Sequence, residues 1–166
     1  MNAKDIIKYG HLHVLEAIKG ISYDEWKKIG VTTKWSIKDV IAHLASYEHL
    51  LKDTLNFVLK PGTPAPYIDE MNSDPDSFND KEVSQRKSMS PQQVMAEYTD
   101  IQKQVSDIIE KISPGLLSKT GTIPWYGSEY SLDDFIVYAN YGHKEGHIGQ
   151  IKRFIKQNKI NNELLS

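Results

Sequence analysis

The chain carries six histidines and no cysteine, and three of the histidines stand where imidazole could do chemistry. His143 and His147 lie four apart in Tyr141-Gly-His143-Lys-Glu-Gly-His147-Ile-Gly-Gln150, which on a helix projects both from one face, a turn apart. Two imidazoles so placed can share one ion. The spacing alone is weak, because a lone inward histidine is more often a core residue held by a hydrogen bond. His43 changes the balance. It falls three residues after Val40 and four before Tyr47, on the flank of another apolar helix face. Three inward histidines on two helices are costly to bury unsatisfied, and bundle interiors recurrently build metal sites from facing helices. His43, His143 and His147 are therefore the predicted ligands of one divalent metal.

Without cysteine, disulfides, thiolate nucleophiles and thiolate ligands are all excluded. Three imidazoles leave a position open on a tetrahedral ion, a catalytic or ligand-binding pattern, since structural zinc sites are closed by four protein ligands. Zinc is the default, and nickel, iron and cobalt also suit imidazole. Bound metal would lower the pKa of a small thiol or of water and so supply a nucleophile at neutral pH. Tyr47, Asn140 and Gln150 are the predicted polar neighbours, able to contact substrate or to orient ligands. Lys144 and Glu145 should point away from the histidine face, and Glu48 lies more than a third of a turn from His43, so no carboxylate offers itself as general base. His49 should face solvent, His13 is the reserve ligand, and His11 sits beyond it. The competing class is a non-catalytic protein that binds a metal or small ligand; an accessible cavity above the metal favours catalysis, a closed dry site the alternative.

Four segments with an apolar period of three to four residues must position these groups. The first spans Ala3 to Lys19, with Ile6, Ile7, Val14, Ala17 and Ile18. The second opens on a capping box of Ser36 and Asp39 behind Trp35, continues through Val40, Leu44, Tyr47, Leu51, Leu55 and Val58, and stops at Lys60-Pro61-Gly62. The third opens on Ser90-Pro91 with Gln93 answering the cap, and its seam is Val94, Tyr98, Ile101, Val105, Ile108 and Ile112. The fourth opens on Ser131 and Asp134 and runs to about Asn158, its inward stripe comprising Leu132, Ile136, Ala139, both histidines, Gln150 and Phe154. The stretch from Pro61 to Met89 has no sustained period and reads as a long connection rather than an element. An all-α four-helix bundle follows, and the long second link favours up-down-down-up order. Trp125-Tyr126-Gly127 either lines a pocket mouth or covers the bundle's end. Gly142, Gly146 and Gly149 predict close approach of a neighbouring helix or subunit.

At 166 residues the whole chain, 1–166, is predicted to be a single domain. Its 20 basic and 22 acidic residues, interspersed to a net charge of -2, leave no footprint for a nucleic-acid backbone. No apolar run approaches a membrane span. The amino terminus mixes charge into its apolar residues and lacks a secretory pattern, which predicts a cytoplasmic protein.

Trp35-Ser-Ile-Lys-Asp-Val-Ile-Ala-His43-Leu-Ala-Ser-Tyr47-Glu48 resembles the second-helix motif of DinB-like proteins, and Tyr141-Gly-His143-Lys-Glu-Gly-His147-Ile-Gly-Gln150-Ile151 resembles their fourth-helix motif. Ser77-Phe78-Asn79 and the helix start at Ser90 are similar to the branch that includes maleylpyruvate isomerase-like and ClbS/DfsB-type proteins, a match that does not carry that branch's chemistry across. The resemblance implies an up-down-down-up bundle, a three-histidine site for zinc or nickel, and homodimers. It also implies transferase or isomerase chemistry with a low-molecular-weight thiol and a small-molecule substrate.

Overall fold

Each long helix begins where a side chain can answer its free amides. In the computed structural model, which describes residues 2–164, Asn2 caps α1 (Ala3–Ala17). A short helix α2 (Tyr23–Lys27) follows, then α3 (Ile37–Leu59), opened by the predicted Ser36/Asp39 capping box. Two unpredicted helices come next, α4 (Pro66–Ser73) and α5 (Pro75–Gln85), before α6 (Pro91–Ile109) opens on the Ser90/Gln93 box. After the single turn α7 (Pro114–Leu117), the Ser131/Asp134 box starts α8 (Leu132–Phe135). This helix passes through a π-helical segment, Ile136–Tyr141, into α9 (Gly142–Leu164). Each such cap is worth roughly 1 kcal/mol. The architecture is all-α, and no helix among the described residues is long and apolar enough to cross a membrane.

The four long helices close a ring of neighbours: α3 packs on α6, α6 on α1, α1 on α9, and α9 on α3. The segment read as a bare connection instead folds into α4 and α5, which lie against α3. Proline at the first position of both helices and Asp74 as the cap of α5 were the available signals. The cover they provide leaves α3 buried nearly all round, from Ile37 to Ser46 without interruption. It also overturns the solvent-facing assignment of His49, whose ring stacks on Tyr67 of α4 at 4.6 Å and whose Nε2 lies 3.1 Å from Glu97 Oε1.

The apolar interior falls into two clusters. One gathers Ile7, Leu51, Leu55, Val105, Ile112 and Ile136; the other gathers Val14, Ile41, Leu44, Val94, Ile148 and Ile151. Between them on every long helix lie polar or small residues: Gly10 and His11 on α1, Glu48 on α3, Gln102 on α6, and Asn140 and Lys144 on the last helix. The bundle thus has a polar middle layer. Gly10 fits closely there: a Cβ would meet Tyr141 Cδ2 at 3.2 Å and Lys144 Cδ at 3.4 Å, so those side chains would have to give by a few tenths of an ångström. The glycines predicted to admit a neighbour do not do so within this chain: a Cβ at Gly146 would meet open space, and one at Gly149 only the end of the Arg153 side chain.

Candidate metal centre

The π turn decides how the last helix presents its side chains. An α-helix carries 3.6 residues per turn, and a π turn inserts one more, shifting every later residue around the axis. The core-facing line therefore runs Leu132, Ile136, Asn140, Lys144, Ile148, Ile151, all buried. The stripe through Ala139 and the histidines lies beside it, and His143 and His147 are half-buried at the bundle's edge. Across from them α3 supplies His43, which is buried.

The three imidazoles converge on one point. His143 Nε2 lies 2.9 Å from His43 Nε2 and 3.0 Å from His147 Nε2, and these histidines form a group that could hold a metal ion. Hydrogen bonding alone cannot satisfy them. His147 Nδ1 donates to Gln150 Oε1 at 2.8 Å, so its Nε2 carries a lone pair when the ring is neutral. His143 Nε2 can hold one in-plane proton and answer one neighbour, leaving its other contact nitrogen to nitrogen without a bond. A shared cation accepts all three lone pairs, and a tetrahedral zinc would set such nitrogens about 3.3 Å apart, within a few tenths of an ångström of the observed spacing.

Electrostatics hold the rings in the ligand form. Burial, and then the neighbouring His143 and His147, push His43 down to about 2. His143 falls to about 4 through burial, His147 and Lys144. His147 is also lowered by burial, against the opposing hydrogen bond with Gln150. All three are neutral at pH 7 and offer lone pairs.

Two aromatic rings pack against the group. Trp35 stands 4.9 Å from His43 between ring centroids, and Tyr47 stands 4.7 Å from His43 and 4.2 Å from His143. The Tyr47 hydroxyl donates to Asn79 Oδ1 at 3.2 Å, and burial, partly offset by that bond, raises its pKa. Of the three predicted polar neighbours, Tyr47 and Gln150 thus touch the histidines. Asn140 points into the middle layer, where its Nδ2 donates to Glu48 Oε1 at 3.3 Å. The reserve ligand His13 stands apart, bound through Nδ1 to Glu145 at 2.7 Å.

Sequence reasoning missed the centre of that layer. Glu48 and Lys144, both fully enclosed, form an ion pair at 2.6 Å. Lys144 does leave the histidine face as predicted, but toward the core. Tyr98, also buried, places its hydroxyl without a hydrogen-bond partner, and burial with the nearby Glu48 raises its pKa well above the ordinary value. Four-residue spacing of Asn140, Lys144 and Ile148 was the one sequence signal for a displaced stripe. Trp35 and Asn79 also went unassigned, although Trp35 directly precedes the cap of the helix that carries His43.

Beside the histidines lies an apolar cavity of about 210 Å³ that shares Tyr47 with them and includes Trp125 and Tyr126 in its wall. The aromatic pair in the third connection therefore lines a pocket.

Known proteins can be set against this geometry. The crystal structure of an uncharacterised protein from Escherichia coli UTI89 is similar in fold, with a TM-score of 0.73 at 14% sequence identity, covering 93% of this chain and 91% of that one. No curated protein matches. The family model of the DinB superfamily matches residues 13–151, which span all three histidines; the chain belongs to the DinB superfamily.

Proposed function

We propose that this protein is a metal-dependent transferase or hydrolase in which His43, His143 and His147 hold one divalent ion, zinc or nickel. The observation that carries the reading is the convergence of three neutral imidazole nitrogens that no arrangement of protons satisfies. Such an ion, held by these three histidines, would supply Lewis-acid chemistry that lowers the pKa of a low-molecular-weight thiol or of water.

The remaining work falls to this chain's side chains. Gln150 fixes the His147 tautomer by accepting from Nδ1, which turns Nε2 toward the other two rings. Trp35 and Tyr47 pack against His43, and burial keeps the Tyr47 hydroxyl, which donates to Asn79, protonated. Neither neighbouring carboxylate is free to act as base: Glu145 binds His13, and Glu48 is paired with Lys144. With both carboxylates paired, no side chain of this group would be left to serve as the base. The adjoining cavity favours a substrate over a purely structural metal. A cytoplasmic homodimer is the setting that goes with this reading.

The test is elemental mass spectrometry on protein purified without affinity tag or chelator. Near-stoichiometric zinc or nickel, lost in both His43→Ala and His147→Ala, is the expected result and would justify screening small thiols against electrophilic substrates. Metal-free wild type, or metal retained by both variants, would overturn the assignment.

A further inference from the structure

The cavity that shares Tyr47 with the histidines is built for one kind of guest. Its walls come from separate parts of the fold: Tyr47 from α3, Met71 from α4, Trp125 and Tyr126 from the connection before α8, Phe135 from α8, and Ala139 from the π segment. Four of the nine lining residues are aromatic. Aromatic faces and edges favour another ring, packed offset or edge to face. No charged side chain lines the space, so an ionised guest would lose its hydration with nothing in return. Size narrows the class further. An apolar cavity of roughly 150 Å³ accepts benzene, so about 210 Å³ has room for one six-membered ring with a small substituent.

We propose that this cavity binds a neutral, single-ring aromatic group, and that this group is the recognition end of the substrate. Tyr47 is the geometric link, since one side of its ring closes the cavity while its centroid stands 4.2 Å from that of His143. Ala139 adds a second link, one turn before His143 on the same helix. A ring seated against Tyr47 stands beside the side chain that contacts His143, and the exposed Asn72 offers a polar contact in the cavity's wall. The cavity's selectivity stands on its own walls; only the identification of its guest as a substrate rests on the proposed metal chemistry.

Fluorine NMR titration on the full chain tests the proposal, with 4-fluorobenzyl alcohol with and without added zinc, and with 4-fluorobenzoate as its charged counterpart on the metal-free protein, where its carboxylate has no ion to ligate. Saturable binding of the alcohol is expected, about tenfold tighter than that of the benzoate. Ala139→Phe and Met71→Trp fill the space from two different helices and should each weaken the alcohol by about tenfold or more, with helical circular dichroism and zinc content unchanged. Absence of saturable binding, equal or tighter binding of the benzoate, or full affinity in both filled variants would overturn the proposal. Alcohol binding to a protein that takes up no metal would sink the metal reading alone, and metal uptake without alcohol binding would sink this one alone.

Discussion

A ring nitrogen can bind metal only if its lone pair is free and aimed, and in this site one amide does the aiming. Gln150 Oε1 accepts from His147 Nδ1, whereas the Nδ1 atoms of His43 and His143 are buried without a hydrogen-bond partner. Gln150 is thus the side chain that fixes a tautomer in the group. Replacing it with leucine keeps the volume and removes the acceptor, so Gln150→Leu should lower zinc affinity by roughly 10–100-fold while the far-ultraviolet circular dichroism stays that of the wild type. Competition with a chromophoric chelator reads the affinity directly, and an unchanged constant would mean that the backbone alone orients the ring. Asn140, on the same helix, should behave differently. It bonds Glu48 and not a histidine, so Asn140→Ala should cost folding stability, about 1 kcal/mol for a lost hydrogen bond, before it costs metal.

At the scale of elements, the last helix and the α4–α5 cover raise separate questions of register and attachment. The π turn brings Lys144 onto buried Glu48. Removing one member leaves an uncompensated charge in the interior, so Lys144→Met or Glu48→Leu alone should destabilise by about 3–5 kcal/mol, whereas the double variant should recover most of that loss. Urea denaturation of the three proteins decides it; a double variant no better than either single one would show that the pair does more than neutralise charge. The cover is fastened differently, by Arg86, which donates to Glu82 and to Glu97, with His49 completing the group. Burial raises the Glu97 carboxyl, but the hydrogen bond from His49 and the Arg86 guanidinium outweigh it and bring it to about 2 from an ordinary 4.5. Because the folded form holds the charge more readily than the unfolded one, the contribution is complete above pH 4.5 and is lost as pH falls through about 2. The stability gap between wild type and Glu97→Gln should therefore narrow over that window, measured by urea midpoints at matched pH. Much of this was legible in the sequence: the capping boxes at Ser36, Ser90 and Ser131, and the three convergent histidines. Periodicity failed at Lys144 and His49 for physical reasons. A π turn moves the stripe by a residue, and a cover made of two short helices buries a face that a four-helix pattern leaves wet.

At the scale of the whole molecule, the polar middle layer separates two apolar clusters, and the histidine group lies at its edge, joining α3 to the last helix. The principal packing of α3 is on α6 and that of α9 on α1, so the α3–α9 seam is a lightly packed side of the ring. A metal held by His43 on one helix and by His143 and His147 on the other would be a cross-link over that seam. An ion that binds only the folded state stabilises it by mass action, by about 2.7 kcal/mol at a hundredfold excess over Kd. For a chain of this length each kcal/mol moves the midpoint by about 2–4 °C. Chelation should therefore lower the wild-type Tm by roughly 5–11 °C and leave the Tm of His43→Ala where it was, because that variant has already lost its contact across the seam. Differential scanning calorimetry with zinc, with chelator and with zinc restored reads all three states. If chelation left the wild-type midpoint unchanged while metal analysis showed the ion removed, the site would couple to chemistry without bracing the fold, and the two apolar clusters would be the whole account of what holds α3 and α9 together.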